Sequence, residues 1–521
     1  MLSRNIVFYS LIIFGLYCAL TIGISYDEIY HHESGERRLK YLFSLGQFEY
    51  YNVLQLKYYS GLYDTLSYLI VSIFPRNYVY EAHHVVNFLV GISGLIALKK
   101  FVQILFNKKI SDIFFLFSFF SPIYFGHLGI NPKDTIICAA HFWTLYYCVK
   151  YLKVSELTDR TQIAIKIGLF IGLGIGVRVI FLGTLIPIII FILLEAFLIK
   201  KISKKIIIKN FLLDLFRIIL ISYFLLILCW PDVHKNIFIE PFLIIKESLS
   251  DLSLGVQLSY FANIFYETNN TPGYYLFLNF LYKLPFFYLI LFFLSVFSYN
   301  KLLLFYKKKI NYFTYKYLLS LFIFFFPVLI VIALKIKIHD GLRYLLYLLP
   351  LLNIPISIIV YYLYNNKDQF FSRFFSFITI PFFIYFLFNF INITPYHYSY
   401  LNILNKSFLN NNSFENDYWG TSIKELIIKF YKNENIIANP KIAVCGVNPM
   451  VADFYLKKYG FNYQKADIKD NFDYAILINR AIAENNFTSD KFETCYSMFK
   501  SKQEIVNVNK NSLTLSKIIV N

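Results

Sequence analysis

Runs of roughly 18 or more apolar residues recur along the chain, at Ile6–Ser25, Phe211–Trp230, Tyr274–Phe297, Tyr317–Leu334 and Ser372–Ile393. Each is long enough to cross a hydrocarbon core of about 30 Å as a helix, so the pattern predicts a polytopic membrane protein. About eleven spanning segments are expected, near residues 6–25, 83–98, 111–128, 133–149, 165–181, 182–199, 211–230, 274–298, 317–334, 343–362 and 372–393. The first follows only Met1–Asn5 and has no small-residue cleavage site after it, which reads as a retained signal anchor. After Ile393 the pattern turns polar. Lys441–Gly446 and Asp473–Asn479 read as short strands, and Met450–Tyr459 has helical spacing. The expected fold is therefore mostly α, with a transmembrane bundle over residues 1–393 and a small α/β domain over 394–521.

Loop charges orient this arrangement. Lys99–Lys109, Lys150–Lys166, Lys200–Lys209, Lys301–Lys316 and Asn365–Arg373 are rich in Lys or Arg, and with Arg4 they fall on alternate sides of the predicted spans. Cytoplasmic loops carry such an excess. The amino terminus is thus expected inside, and the tail outside. The opposite loops are Tyr26–Ala82, the turn at Gly126–Lys133, Pro231–Gly273 and Lys335–Arg343. They gather the Asp, Glu, His, Trp and Pro clusters on one face.

Composition adds little to this picture. The chain is 57% apolar and 16% charged, with a net charge of +18. Its lysines lie between hydrophobic runs, not in a soluble module with base-stacking aromatics, so nucleic acid is not an expected partner. Cysteines 18, 138, 148, 229, 445 and 495 show no CxxC spacing, and neither a disulfide framework nor a zinc cluster is expected. Gly172-Leu-Gly-Ile-Gly176 lies inside an apolar run and reads as a helix-packing surface, not a nucleotide loop.

Several outer-edge clusters have both a plain and a chemical reading. Asp27-Glu28 is either a solvated loop start or a carboxylate pair at a partly dehydrated cleft, where Asp27 accepts a proton from an attacking hydroxyl. His31, His32 and Glu33 are surface polar groups or candidates for a divalent metal. In Asn131-Pro-Lys-Asp134, following His127, Asn131 caps a helix whose first turn holds Pro132. Lys133 and Asp134 are charges at a membrane edge, where burial is costly. Lys133 is a candidate partner for a phosphate or for Asp27. Arg178 lies in an apolar stretch and either snorkels or faces a cavity. In His339-Asp-Gly-Leu-Arg343, Arg343 offers a fixed fork for phosphate oxygens or anchors the interface; His339 and Asp340 are further cleft candidates. Trp230-Pro-Asp232, Pro395-Tyr-His-Tyr398 and Asp417-Tyr-Trp-Gly420 either cover the cleft or pack at the membrane surface. Asp417 joins the cleft candidates.

Taken in order, these clusters resemble GT-C glycosyltransferases of the family 39 type, similar to protein O-mannosyltransferases and lipid A aminoarabinose transferases, in a bacterial subgroup bearing an NPKD motif. The match runs from Tyr26 to about Ser422. The resemblance implies an inverting transfer of a sugar from a polyprenyl-phosphate donor, at the outer face of a bacterial inner membrane. It makes Asp27 the general base, supported by Glu28. Lys133, Arg178 and Arg343 are assigned to the donor phosphate on physical grounds alone. The chain lacks the long luminal insert of the eukaryotic mannosyltransferases, which points to a lipid or glycan acceptor before a protein one. Two other classes fit a basic polytopic chain. A transporter or flippase for lipid-linked glycans should place ionisable groups at mid-membrane in inverted repeats, and neither is visible. An assembly subunit without chemistry should tolerate Asp27→Asn.

Overall fold

The computed structural model describes residues 2–53, 56–250, 258–268, 271–336, 338, 340–365, 369–408, 413–433, 436–483 and 492–521. Helices dominate to Asn392, and among the described residues four are long and apolar enough to cross a membrane: Arg76–Leu105, Ile208–Leu228, Phe313–Ala333 and Leu348–Asn365. The helix Ile208–Leu228 leaves Leu212, Phe216, Ile219, Leu220 and Phe224 exposed along its length. Such a surface suits lipid, because no water-facing side of a globular fold would hold it uncovered.

The predicted span at 274–298 is in fact two helices, Tyr274–Lys283 and Phe286–Phe297, bent by 113°. Leu284 between them is extended, at φ −86° and ψ 146°. The following Pro285 explains this, since its ring disfavours helical backbone in the preceding residue and it carries no N–H to donate. The spans predicted at 111–128 and 165–181 are also broken. The first divides into Lys108–Phe119 and Pro122–His127, and the second ends at Ile175, so that Arg178 sits in a break and not within a helix. Close packing shapes that break. A Cβ on Gly172 would meet the Leu225 side chain at 2.5 Å, and one on Gly174 would meet the ring of Phe181 at 2.5 Å.

The segment after the first helix carries order of its own, with helices Glu28–Phe43 and Leu62–Val71. Between them the segment Leu56–Ser60 is held by Arg38, which is fully buried. Its guanidinium donates to the carbonyls of Leu56 (3.1 Å), Tyr59 (2.9 Å), Ser60 (2.9 Å) and Cys229 (2.7 Å), and to Ser34 Oγ (3.1 Å). A planar five-donor group satisfies this many carbonyls where an ammonium would not. Further on, Leu258–Phe261 and Ile264–Glu267 form an antiparallel hairpin.

The tail builds a five-stranded sheet in the order Gln464–Lys465, Lys441–Cys445, Tyr474–Ile478, Leu513–Val520, Glu504–Lys510. The first three strands are parallel and the last two antiparallel to their neighbours. Tyr474–Ile478 is buried on both faces, as a central strand covered on each side must be. Contrary to expectation, Cys445 and Cys495 are bonded as a disulfide. Fifty positions separate them, so spacing alone gave no sign of the pairing.

Candidate active site

Asp27 ends the link from the first helix and occupies the cap position of Glu28–Phe43, yet its side chain makes no capping bond. The carboxylate turns instead to Lys133, whose Nζ donates to Oδ2 at 2.8 Å. Asp27 is 26% exposed and Lys133 10%. Burial would raise the Asp27 carboxyl, but the Lys133 ammonium and the Arg343 guanidinium outweigh it and hold the group well below the usual carboxylate range.

Lys133 is placed by Asn131, whose Oδ1 accepts from the backbone N–H of Lys133 (3.1 Å) and Asp134 (2.8 Å). The helix therefore begins at Asp134, later than the expected start at Pro132. Asn131 Nδ2 in turn donates to Asp134 Oδ2 at 3.0 Å. Arg178 lies 3.7 Å from the other Asp134 oxygen and donates from Nη2 to the Tyr59 hydroxyl at 2.7 Å. The Tyr59 ring faces both cations, 5.6 Å from Lys133 Nζ and 5.0 Å from Arg178 Cζ. Tyr344 bridges onward: its ring lies 5.6 Å from Arg178 and 4.9 Å from Arg343, and its hydroxyl accepts from Arg343 Nη2 at 3.0 Å. Arg343 also pairs with Asp340 (3.2 Å) and lies over Trp419 (5.2 Å). Asp340 and Gly341 both have positive φ, 53° and 73°. This two-residue left-handed turn favours glycine at its second position.

Residues from widely separated segments thus meet: Asp27, Lys133, Asp134, Arg178, Asp340 and Arg343. Two planar forks and an ammonium lie beside one accessible carboxylate. Such a set can hold phosphate oxygens while the carboxylate takes a proton.

The other predicted site residues lie around this cluster. Glu28 is only 3% exposed; its Oε2 accepts from Ser25 N at 2.5 Å, and its Oε1 lies 2.8 Å from His84 Nε2. His31 Nδ1 is 3.0 Å from Asp64, and His32 meets His83 at 3.0 Å. Glu28, His31, His32, Asp64 and His83 line a narrow cavity walled by Pro132. Among the described residues no group of three or more His, Cys, Asp or Glu is arranged to hold a metal ion. His127 is fully buried, with Nε2 2.9 Å from the Tyr418 hydroxyl. Asp417 is buried too, accepting from the Tyr398 hydroxyl and from the N–H groups of Thr421 (3.1 Å) and Ser422 (2.9 Å). Desolvation pushes its carboxyl up to about 6 against those donors. Asp232 lies apart, accepting from Asn52 at 2.8 Å. His339 falls outside the described residues.

Tyr59 and Tyr344 are at the site without having been expected there. Their one local signal is position beside charged motifs, and 45 tyrosines in the chain dilute it. Glu415 and Arg480, also near Asp340, gave no signal at all.

No protein-family model and no curated protein sequence matches the chain. Solved structures do. The crystal structure of ArnT from Cupriavidus metallidurans in the apo state aligns over 99% of this chain and 97% of its own, at 9% identity and a TM-score of 0.50. The same protein bound to undecaprenyl phosphate aligns over 99% and 98%, at 10% identity and a TM-score of 0.51. The Archaeoglobus fulgidus oligosaccharyltransferase aligns over 90% of this chain and 69% of its own, at 10% identity and a TM-score of 0.47. By its end-to-end likeness to ArnT, the chain shares the fold of that protein.

Proposed function

We propose that this chain is an inverting membrane glycosyltransferase of the family 39 type, which moves a sugar from a polyprenyl-phosphate donor to a lipid or glycan acceptor. The observation that carries the reading is the accessible Asp27 carboxylate held against Lys133 and within the field of Arg343, with Arg178 facing the same Tyr59 ring as Lys133. That an ArnT structure holds undecaprenyl phosphate supports the donor class. On this reading residues 1–393 form the catalytic membrane unit, with the amino terminus cytoplasmic, and residues 394–521 form an extracytoplasmic α/β unit.

The acceptor hydroxyl oxygen attacks the anomeric carbon as the bond from that carbon to the phosphate oxygen breaks. The bonding pair leaves with the polyprenyl phosphate, whose charge Lys133, Arg178 and Arg343 hold. Asp27 takes the hydroxyl proton. A single displacement inverts the anomeric centre. The Lys133 pair gives the base a switch. While Lys133 is bonded to Asp27 the carboxylate is a poor base, and a donor phosphate that engages Lys133 raises its proton affinity. Glu28, shielded from the cleft, positions Asp27 by fixing the turn at Ser25. His127 and Asp417 hold the aromatic wall.

The test is native mass spectrometry of the gently purified full-length protein. Wild type should retain a glycosyl phosphopolyprenol or bind added undecaprenyl phosphate, and Arg343→Ala should lose it. A diphosphate-linked oligosaccharide in its place would favour a flippase.

A further inference from the structure

Near Asp340, the ion-pair partner of Arg343, lies a second charged group that the donor reaction leaves unused. Lys283 ends the helix Tyr274–Lys283 at the bend before Pro285 and is only 7% exposed. Among the described residues its ammonium makes no hydrogen bond and no ion pair. It rests between the rings of Phe261 and Tyr418, each 5.4 Å from Nζ. A Cβ on Gly341 would come within 2.5 Å of Nζ, so the left-handed glycine makes the space the ammonium occupies. Beside it, Asn279 is fully buried and its Oδ1 has no hydrogen-bond partner.

Arg480 approaches the same place from the tail sheet. Its Nη1 donates to the Tyr418 carbonyl at 2.9 Å, and its guanidinium faces the Tyr26 ring at 5.2 Å. Asp340 and Glu415 act electrostatically on both Lys283 and Arg480, which places the two cations around shared acids. Among the described residues neither acid forms an ion pair with Lys283. Asp340 is paired with Arg343 at 3.2 Å, and Glu415 Oε1 accepts from the Ala481 N–H at 2.7 Å. A buried ammonium with no hydrogen-bonded counter-ion is costly, and the cost is relieved when an oxyanion enters.

We infer that Lys283 and Arg480 form an anion subsite beside Asp340 and Tyr418, which takes a phosphate or carboxylate group carried by the acceptor. The subsite rests on the donor reading above for its role, since Arg343, paired with Asp340, then serves the donor phosphate. It also gives the tail sheet a task in the reaction: Arg480 comes from the residues just after the central strand Tyr474–Ile478, so acceptor selection depends on how that sheet sits on the bundle.

The experiment uses the full-length protein in detergent, saturated with undecaprenyl phosphate and titrated with glucose 1-phosphate, glucuronate or uncharged glucose. Thermal unfolding reports binding. Wild type should bind one anionic sugar roughly tenfold or more tighter than glucose, as a charge-assisted hydrogen bond predicts. The better ligand distinguishes phosphate from carboxylate. Lys283→Gln and Arg480→Gln should each abolish that preference while undecaprenyl phosphate binding persists. Equal binding of glucose and both anions by wild type, or an anion preference unchanged in the variants, overturns the subsite. Arg480 is partly exposed, so its variant carries the test should Lys283→Gln not fold. Failure of undecaprenyl phosphate to bind wild type sinks the donor reading instead, and the same titration on carrier-free protein still reads Lys283 and Arg480.

Discussion

Asp27 and Glu28 are adjacent in the chain, yet they face opposite kinds of surroundings. Asp27 looks into the cleft, 26% exposed, against a lysine and within the field of Arg343. Glu28 points the other way, 3% exposed, toward His84 and the backbone of Ser25, beside the histidines of the narrow cavity. Where a helix starts, consecutive side chains diverge by about 100°, so one step along the chain separates solvent-accessible chemistry from buried structure. Two identical functional groups thereby acquire different work. One carboxylate can meet a substrate, and the other can only hold its neighbour in place.

This contrast breaks most directly at Asp27. Asp27→Asn should lower transfer by roughly a thousandfold, within the range for a general base, in a chain that still folds although it loses the ion pair with Lys133. Turnover of a polyprenyl-phosphate sugar measures it, and survival of activity would end the assignment. Glu28→Gln should reverse the pattern, costing stability by about 1–3 kcal/mol through a buried group left badly paired, with activity falling only as the fold loosens. Denaturant unfolding beside the transfer assay separates the two variants. Should Glu28→Gln instead remain stable and inactive, Glu28 would belong to the cleft.

Arg178→Lys sharpens the cleft side. It keeps the charge but loses the fork that reaches both Tyr59 and Asp134, and should raise the apparent KM for donor by roughly tenfold with a smaller change in kcat. The smallest effect is on pH dependence. Burial raises Glu415 to about 7 and Asp417 to about 6, so the folded chain binds protons there that an unfolded chain releases. These two acids therefore contribute more to stability as pH falls from 8 toward 5, and Glu415→Gln should remove that share, so that its melting-temperature difference from wild type changes across the window. Asp27 acts with the opposite sign. Its lowered carboxyl contributes stability above the unfolded value near 3.9 and loses it only in stronger acid, outside that window. The melting-temperature difference between wild type and Glu415→Gln across pH 5–8 reads the Glu415 contribution alone, and a constant difference would refute it.

The positions of the site residues were legible in part. Asp27, Lys133 and Arg343 each stood at the edge of an apolar run, where a charge is expensive and so conspicuous. Arg178 stood within one for the same reason. What no local pattern reveals is direction. The burial of Glu28, the withdrawal of Asp417 into a hydrogen-bonded knot with Tyr398, and the arrival of Tyr59 on a loop clamped by Arg38 all depend on partners far along the chain.

By itself, the sequence determined that this chain crosses a membrane, roughly where its helices run, and that its tail changes to strands. Those properties follow from transfer free energy and backbone preference, which are summed over neighbouring residues. The tertiary structure alone decided that Lys133 bonds Asp27 across 106 positions, that the helix pair bends by 113° at Pro285, and that Cys445 reaches Cys495. These are contacts between surfaces, and their geometry exists only once the helices have packed.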